Sequence, residues 1–200
     1  MRSRDDLDDI PEDGDLPADL PGEQDLGGGK ESLGGGQKKY GTIVADPAWP
    51  FPVDPNWPYP VVSYDRIIAL PVADLAADKA HCFIWSTQQS LRRAFDVMEA
   101  WGFQHKITLV WNKSNTGMGF YFRSNTEFVL FGARGNLRTE KSFATGFAGK
   151  RREHSRKPEE FMEIVEQTSP GPRLELFARV RRPGWDAWGN EVESDIDLTL

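Results

Sequence analysis

The stretch IVADPAWPF, residues 43–51, decides the fold of this 200-residue chain. Its first residues, with Gly41 and Thr42 before them, form a short apolar run typical of a buried strand. The run ends at Asp46-Pro47, and because proline cannot continue a central strand, a loop begins there. A carboxylate, a proline carbonyl and an aromatic side chain are therefore predicted to follow one another where a buried strand ends.

This junction has the groups needed to hold an aromatic amine. The amino group of adenine is a poor nucleophile with two N–H donors, and Asp46 and the carbonyl of Pro47 can accept both. The carboxylate would also help a proton to leave, and Trp49 can stack on a base that has left the helix. The alternative for so short a motif is an Asp-Pro turn beside a buried tryptophan, and the motif alone favours that alternative.

On the C-terminal side of this stretch, apolar periodicity alternates between strands and helices. Strands are predicted at 41–45, 81–85, 106–111, 126–131, 173–179 and 185–188, and helices after Ser63, over 90–101 and from Pro158, with a short turn at 72–77. Strands separated by helices predict an α/β fold, with a mainly parallel sheet flanked by helices on both faces. Ligands bind such sheets beyond the carboxyl ends of the strands, where Asp46 is expected.

The charge of the chain is divided unevenly. Its 24 basic and 31 acidic residues give a net charge of −7, which for the chain as a whole disfavours a nucleic-acid partner. Residues 1–37 hold eleven acidic residues, three basic residues and no aromatic residue, so we expect a disordered, acidic, glycine-rich tail there. The folded domain is then expected over 38–192 with a net charge of +4, and an acidic C-terminal tail over 193–200. The folded part is therefore able to meet phosphates.

Composition also excludes several classes of protein. No apolar run reaches the roughly 18 residues of a membrane span, and the first residues lack the apolar core of a signal peptide. Cys82 is the only cysteine, which excludes an internal disulfide and a cysteine-based zinc site. We therefore expect a soluble cytoplasmic protein that contacts no membrane and holds no metal.

The segment Asp-Pro-Ala-Trp is one of several blocks that follow one another in the order of a known family. Downstream come LPVADLAA, FIW, WGF, LVWNK, GMGFYFRSNTEFVLFGARGN, HSRKPEE, SPGPRLELFAR and GWDAWGNE. Over 41–192 the chain resembles the MT-A70 family of S-adenosyl-L-methionine-dependent methyltransferases, which act on the N6 amine of adenine and carry the motif Asp-Pro-Pro-Trp. The resemblance implies a Rossmann-like methyltransferase fold with a permuted motif order, in which the catalytic loop precedes the cofactor-binding residues.

The resemblance also implies roles for individual residues. The catalytic motif would comprise Asp46, Pro47, Ala48 and Trp49, with Asp46 and the Pro47 carbonyl receiving the amine. The residues that would contact S-adenosyl-L-methionine are Asp46, Lys157, Glu175, Phe177, Arg179, Asn190 and Glu191. Those that would lie beside the substrate are Trp49, Tyr59, Arg123 and Glu127.

Two features depart from the family. Ala48 stands where the second proline is usual, which softens the loop but keeps both acceptors, so we expect activity to be retained. Nothing upstream of the catalytic loop matches the extra strand of larger members. Cofactor affinity is therefore expected to be modest unless a partner completes the site.

The substrate side is predicted from charge. Lys150, Arg151 and Arg152, with the basic residues of 154–157, form the densest basic cluster, which we expect to contact phosphates. The alternative is a solvated loop and helix start.

These features predict an adenine N6 methyltransferase acting on DNA, with RNA as the alternative substrate. A catalytically silent nucleic-acid-binding subunit is the alternative of another class, and retention of Asp46, Pro47 and Trp49 argues against it. Monomer, homodimer and heterodimer all remain open.

Overall fold

The computed structural model describes residues 38–50, 61–114, 121–150 and 156–198. The tail predicted over 1–37 and the predicted site residues Tyr59, Arg151 and Arg152 lie outside these ranges. The elements in chain order are β1 (Tyr40–Ala45), α1 (Tyr64–Ala69), α2 (Val72–Leu75), β2 (Ala76–Ser86), α3 (Leu91–Ala100), β3 (Gln104–Asn112), β4 (Thr126–Arg134), β5 (Gly146–Ala148), α4 (Glu159–Thr168), β6 (Arg173–Leu176) and β7 (Trp185–Trp188). No helix within the described ranges is long and apolar enough to cross a membrane.

The strands of the described residues form one mixed sheet in the order β5-β3-β4-β2-β1-β6-β7. β1 is parallel to both of its neighbours, β2 and β6, and β7 and β5 extend the sheet in parallel at its two edges. Of these strands, β4 alone runs the other way, between β2 and β3. The predicted α/β, Rossmann-like fold with a mainly parallel sheet is therefore confirmed, with one strand reversed.

The reversed strand follows from how β3 and β4 are joined. The Lys113 N–H donates to the Asn125 carbonyl at 2.7 Å, so the two ends of the connection lie side by side. Adjacent ends are what antiparallel neighbours need, whereas parallel neighbours need a crossover along the whole length of the sheet. The connection therefore begins and ends at one edge of the sheet.

Helices cover both faces of the sheet, as predicted. Consecutive strand residues point to opposite faces, and accordingly Ile43 belongs to one apolar cluster and Val44 to another. The first cluster is completed by α1, α2 and α3, and the second by α4 through Phe161 and Val165. The core therefore has two layers, one on each side of the sheet.

Local signals explain where the helices begin and end. The Ser63 hydroxyl accepts a hydrogen bond from the Arg66 N–H at 3.4 Å, so Ser63 caps α1 as predicted. α3 closes just before Gly102, whose φ of 79° is left-handed and favours glycine. Pro158 immediately precedes α4, where its missing N–H costs no helical hydrogen bond.

β6 is shorter than predicted. The strand expected over 173–179 ends at Leu176, because Phe177 has a φ of 61° and turns the chain out of the ladder. The Ala178 N–H then donates to the Trp188 carbonyl at 2.9 Å. Phe177 and Arg179 consequently lie beyond the carboxyl end of β6.

The predicted domain end near 192 is too early, because the next residues pack on β7. The Asp195 N–H donates to the Ala187 carbonyl at 2.8 Å, and the Asp195 carboxylate accepts from the Ala187 N–H at 2.9 Å. Arg181 pairs with the same carboxylate at 2.6 Å. Ile196 and Leu198 pack against the core, so this acidic segment belongs to the folded domain up to Leu198.

Candidate active site

The carboxyl ends of the parallel strands meet at one edge of the sheet, and the predicted catalytic motif lies there. Asp46 follows β1, Trp85 is the last residue but one of β2, and Lys113 follows β3. Because β4 is antiparallel, its beginning reaches the same edge and brings Glu127 with it. Four neighbouring strands thus place polar or aromatic side chains together.

Three of these side chains form a line of alternating charge together with Lys157. The Lys157 ammonium, just before α4, lies 2.8 Å from Oδ2 of Asp46 and 3.3 Å from Oε2 of Glu127. The Lys113 ammonium lies 2.5 Å from Oε1 of Glu127. We call the series Lys113, Glu127, Lys157 and Asp46 the charge chain. Its side chains are 16–23% exposed, so water screens these contacts weakly.

The charge chain keeps its inner members ionised. Burial lowers the pKa of Lys157, but the charges of Asp46 and Glu127 outweigh burial and leave that pKa raised. Burial raises the pKa of Glu127, but Lys157 and Lys113 outweigh it and leave that pKa below its ordinary value. Both groups are therefore charged at neutral pH, and the Lys157 ammonium holds the Asp46 carboxylate in place.

Backbone hydrogen bonds shape the loop after β1. The Trp49 N–H donates to the Pro47 carbonyl at 2.8 Å, and the Val62 N–H donates to the Ala48 carbonyl at 2.9 Å. The Pro47 carbonyl thus already accepts one hydrogen bond. Since a carbonyl oxygen has two lone pairs, it keeps the capacity to accept a second from a ligand.

Trp49 lies in the core and not on an open surface. It is 4% exposed, and its indole N–H donates to the Trp85 carbonyl at 2.9 Å. Its ring centre lies 5.8 Å from that of Tyr64. These contacts tie the loop after β1 to β2 and α1. Stacking of Trp49 on a substrate base stays a prediction, and it would require this side chain to leave its present contacts.

A cleft that is partly open to solvent begins at Asp46. The predicted cofactor residues that line it are Asp46, Lys157, Glu175, Phe177 and Arg179. Its remaining lining comes from Val44, Trp85, Arg156, Glu159, Met162, Val180 and Arg182. The geometry therefore brings most of the predicted cofactor residues to one cleft.

The lining of this cleft fits S-adenosyl-L-methionine. The methionine end of that molecule carries a carboxylate and positive charge, and the cleft offers the Lys157 ammonium and the Asp46 carboxylate. Phe177 offers an aromatic surface for a base. The Nε of Arg182 is buried without a hydrogen-bond partner in the part of the chain that the structure describes, so a donor remains for a ligand acceptor.

Glu175 is a carboxyl of the cleft whose pKa is raised toward neutral pH. It lies on β6 opposite Val44 of β1. Burial raises the pKa of its carboxyl to about 7; Arg182 acts against this shift, and the charges of Asp46 and Glu159 add to it. The group is therefore close to half protonated at neutral pH.

The predicted pair Asn190 and Glu191 lies beside the cleft. Both are exposed and follow β7, the neighbour of β6. Oε1 of Glu191 lies 3.7 Å from Nε of Arg179, which lines the cleft. The chain between β7 and this pair passes close to Ala178 at Gly189, where a Cβ would lie 2.2 Å from the Ala178 carbonyl oxygen.

The predicted substrate residues fall into two groups. Glu127 belongs to the charge chain and faces two lysines, so it lies at the site but is already engaged. Arg123 and Lys150 are exposed. Arg156 is exposed and lines the cleft, so part of the predicted basic cluster borders the site.

Several site residues were missed from the sequence. Lys113 ends the block LVWNK, but nothing local indicated that it would meet Glu127. Arg182 pairs with Glu159, which also lines the cleft, and nothing local in the sequence indicated this contact. Met162 was one apolar residue among several in a helix.

The fold and the site together define a class of protein, an α/β protein with a Rossmann-like sheet whose ligand cleft opens at the carboxyl ends of its strands. The MT-A70 family model matches residues 40–191, about three quarters of the chain. The chain therefore belongs to the MT-A70 family, which confirms the resemblance seen in the sequence blocks.

Named relatives come from bacteria and eukaryotes. The chain is 29% identical over 184 residues to Type II methyltransferase M.MunI of Mycoplasma sp, covering 78% of this chain and 79% of that protein. It is 31% identical over 166 residues to a rice protein named probable N(6)-adenosine-methyltransferase MT-A70-like, covering 77% of this chain and 23% of that protein. Human METTL3, named as an N(6)-adenosine-methyltransferase catalytic subunit, is 28% identical over 171 residues, with 78% and 28% covered. The chain thus spans about a quarter of the length of these eukaryotic relatives.

Proposed function

We propose that this chain is an S-adenosyl-L-methionine-dependent methyltransferase that transfers a methyl group to the N6 amine of adenine in DNA. Family membership supports methyl transfer, and the names of several relatives support the adenine N6 position. The observation that carries the proposal is the place of Asp46. Its carboxylate lies at the cleft, beside the Pro47 carbonyl and 2.8 Å from the Lys157 ammonium.

Asp46 and Pro47 orient the amine. Their oxygens accept its two N–H groups, which directs the nitrogen lone pair toward the cleft and gives the departing proton an acceptor. The bound cofactor supplies an electrophilic methyl group.

Lys157 holds the geometry on the cofactor side. An ammonium has three N–H donors, and Asp46 and Glu127 occupy two of them. The third is available to the carboxylate of the methionine end. Glu175, Phe177, Arg179, Asn190 and Glu191 are proposed to hold the sugar and base of the cofactor.

DNA is the favoured substrate because the chain is similar to a bacterial Type II methyltransferase over 79% of that protein. The match to the N(6)-adenosine-methyltransferases covers only about a quarter of those proteins. The adenosine-directed relatives support RNA as the alternative substrate.

The substrate class is tested by radiolabelled methyl transfer. Purified protein is incubated with labelled S-adenosyl-L-methionine and equal amounts of single-stranded DNA, duplex DNA, single-stranded RNA or duplex RNA, and the products are digested to nucleosides. We expect label in N6-methyladenine from DNA. Label confined to RNA would move the proposal to the alternative substrate, and label in another nucleoside would contradict the N6 assignment.

A further inference from the structure

Two consecutive aromatic side chains stand out from the surface near this site. Tyr121 is 96% exposed and Phe122 is 92% exposed. The other exposed large apolar side chains of the described residues are only 37–44% exposed. Single exposed apolar residues are ordinary, but an adjacent pair left almost wholly in water is typical of a surface that meets a partner.

The pair lies in the connection between β3 and β4, which begins and ends at the charge chain. Lys113 opens the connection, and its N–H donates to the Asn125 carbonyl at 2.7 Å. Glu127, two residues further on, contacts both Lys113 and Lys157. The aromatic pair is therefore carried by a loop rooted beside the proposed methyl-transfer site.

The charge of this connection indicates which kind of partner the aromatic pair meets. Residues 113–126, KSNTGMGFYFRSNT, contain two basic residues and no acidic residue, in a chain with 31 acidic residues. Arg123, directly after the aromatic pair, is itself exposed. Aromatic faces beside a guanidinium suit an unpaired base and its phosphate, because every base has a face that stacks and every phosphate is negative.

We propose that Tyr121 and Phe122 stack on unpaired bases next to the target adenine in single-stranded DNA, with Arg123 on a neighbouring phosphate. The substrate class in this inference rests on the proposed function. A protein partner or a second copy of the chain would be a different occupant of the aromatic pair. The absence of acidic residues from 113–126 favours nucleic acid over either of these.

Direct binding tests the inference without depending on catalysis. The dissociation constant for a labelled single-stranded DNA oligonucleotide is measured for the wild type and for the double variant Tyr121→Ala with Phe122→Ala. We expect about tenfold or greater weakening in the double variant. The slope of log affinity against log salt should stay unchanged, since no cation is lost, whereas Arg123→Gln should reduce that slope by about one contact.

Matched variants separate stacking from structural damage. Tyr121→Phe with Phe122→Tyr keeps both aromatic faces and should bind like the wild type. Phe143→Ala removes an exposed aromatic side chain elsewhere and should also bind like the wild type. The variants of Tyr121 and Phe122 should keep the wild-type melting temperature, because the aromatic pair contributes little buried surface.

The outcomes are distinguishable from those for the proposed function. Unchanged binding by the double variant overturns the inference even when the wild type methylates DNA. Weakened binding by the double variant supports it even when no methyl transfer is detected. Loss of a dimer in the double variant, seen by light scattering, or an equal loss on fully paired duplex DNA, would overturn base stacking.

Discussion

Lys157 connects the two carboxylates of the site. Its ammonium reaches Asp46 and Glu127, while Lys113 neutralises Glu127 from the other side. Leaving a partly buried charge without its partner costs free energy of folding. A substitution at one end of the charge chain therefore changes the ionisation of the neighbouring residue. The ionisation of each residue is therefore a property of the group.

Replacing Lys113 should raise the pKa of Glu127. Folded Glu127 has a pKa below its ordinary 4.5, so its ionisation stabilises the fold above that pH, and this stabilisation is lost as the pH falls through the lower folded-state value. Lys113→Met removes one of the two cations responsible. NMR titration of the Glu127 carboxyl should show a higher pKa in this variant, with Lys106→Met, on β3, as the control. An unchanged Glu127 pKa would contradict the contact.

Glu175 should make cofactor binding depend on pH. Its pKa of about 7 means that the ionised fraction grows between pH 6 and 8. An ionised carboxylate attracts the positive charge of the cofactor and accepts hydrogen bonds from its hydroxyls. Calorimetric titration with S-adenosyl-L-methionine should therefore show tighter binding as the pH rises. Glu175→Gln should lack most of this dependence, and an identical pH profile in both proteins would remove Glu175 from the cofactor site.

At the scale of elements, the loop after β1 is fixed by one side chain. The Trp49 indole N–H donates to the Trp85 carbonyl of β2, and the Trp49 ring packs beside Tyr64 of α1. This single residue thus joins the catalytic motif to two other elements. Trp49 therefore anchors the loop in a chain where Ala48 stands at the position of the usual second proline.

Trp49→Phe should destabilise the protein by about 2 kcal/mol. It removes the indole N–H and leaves the Trp85 carbonyl without this donor, which costs about 1–3 kcal/mol for a buried group. Urea unfolding measures the change. Tyr64→Phe, which keeps the ring that faces Trp49, serves as the control and should change little. A loss below about 0.5 kcal/mol for Trp49→Phe would show that the indole hydrogen bond does not anchor the loop.

Local patterns were enough for the elements with strong signals. The run before Asp46, the Ser63 cap and the Gly102 helix end all appear where predicted, because each depends on neighbouring residues. β5 (Gly146–Ala148) was missed, because a strand of three residues is too short to show an alternating apolar pattern. The direction of β4 was missed as well, because strand direction depends on how a distant connection runs.

The site was predictable only where the resemblance supplied it. Asp46 and Lys157 are 111 positions apart, and no local pattern pairs them. The contact of Glu127 with two lysines is likewise set by tertiary structure. The sequence could not predict whether Trp49 is buried or exposed, because a tryptophan after a strand suits either a core or a stacking surface.

At the scale of the whole molecule, the distribution of charge bears on the substrate. Residues 1–37 carry a net charge of −8 by sequence, whereas residues 38–198, which include the acidic segment packed on β7, carry +1. The negative charge is therefore concentrated in residues 1–37, where it repels phosphates most strongly at low salt.

The charge of Asp46 at the mouth of the cleft is the centre of this account. The most direct test is the rate at which labelled methyl groups pass from S-adenosyl-L-methionine to N6 of adenine in single-stranded DNA, compared between the wild type and Asp46→Ala. Asp96→Ala, on the exposed side of α3, is the control. We predict at least a hundredfold loss of rate (about 3 kcal/mol) for Asp46→Ala, with a native circular dichroism spectrum retained and the rate of Asp96→Ala unchanged. Full activity of the folded Asp46→Ala protein would contradict it.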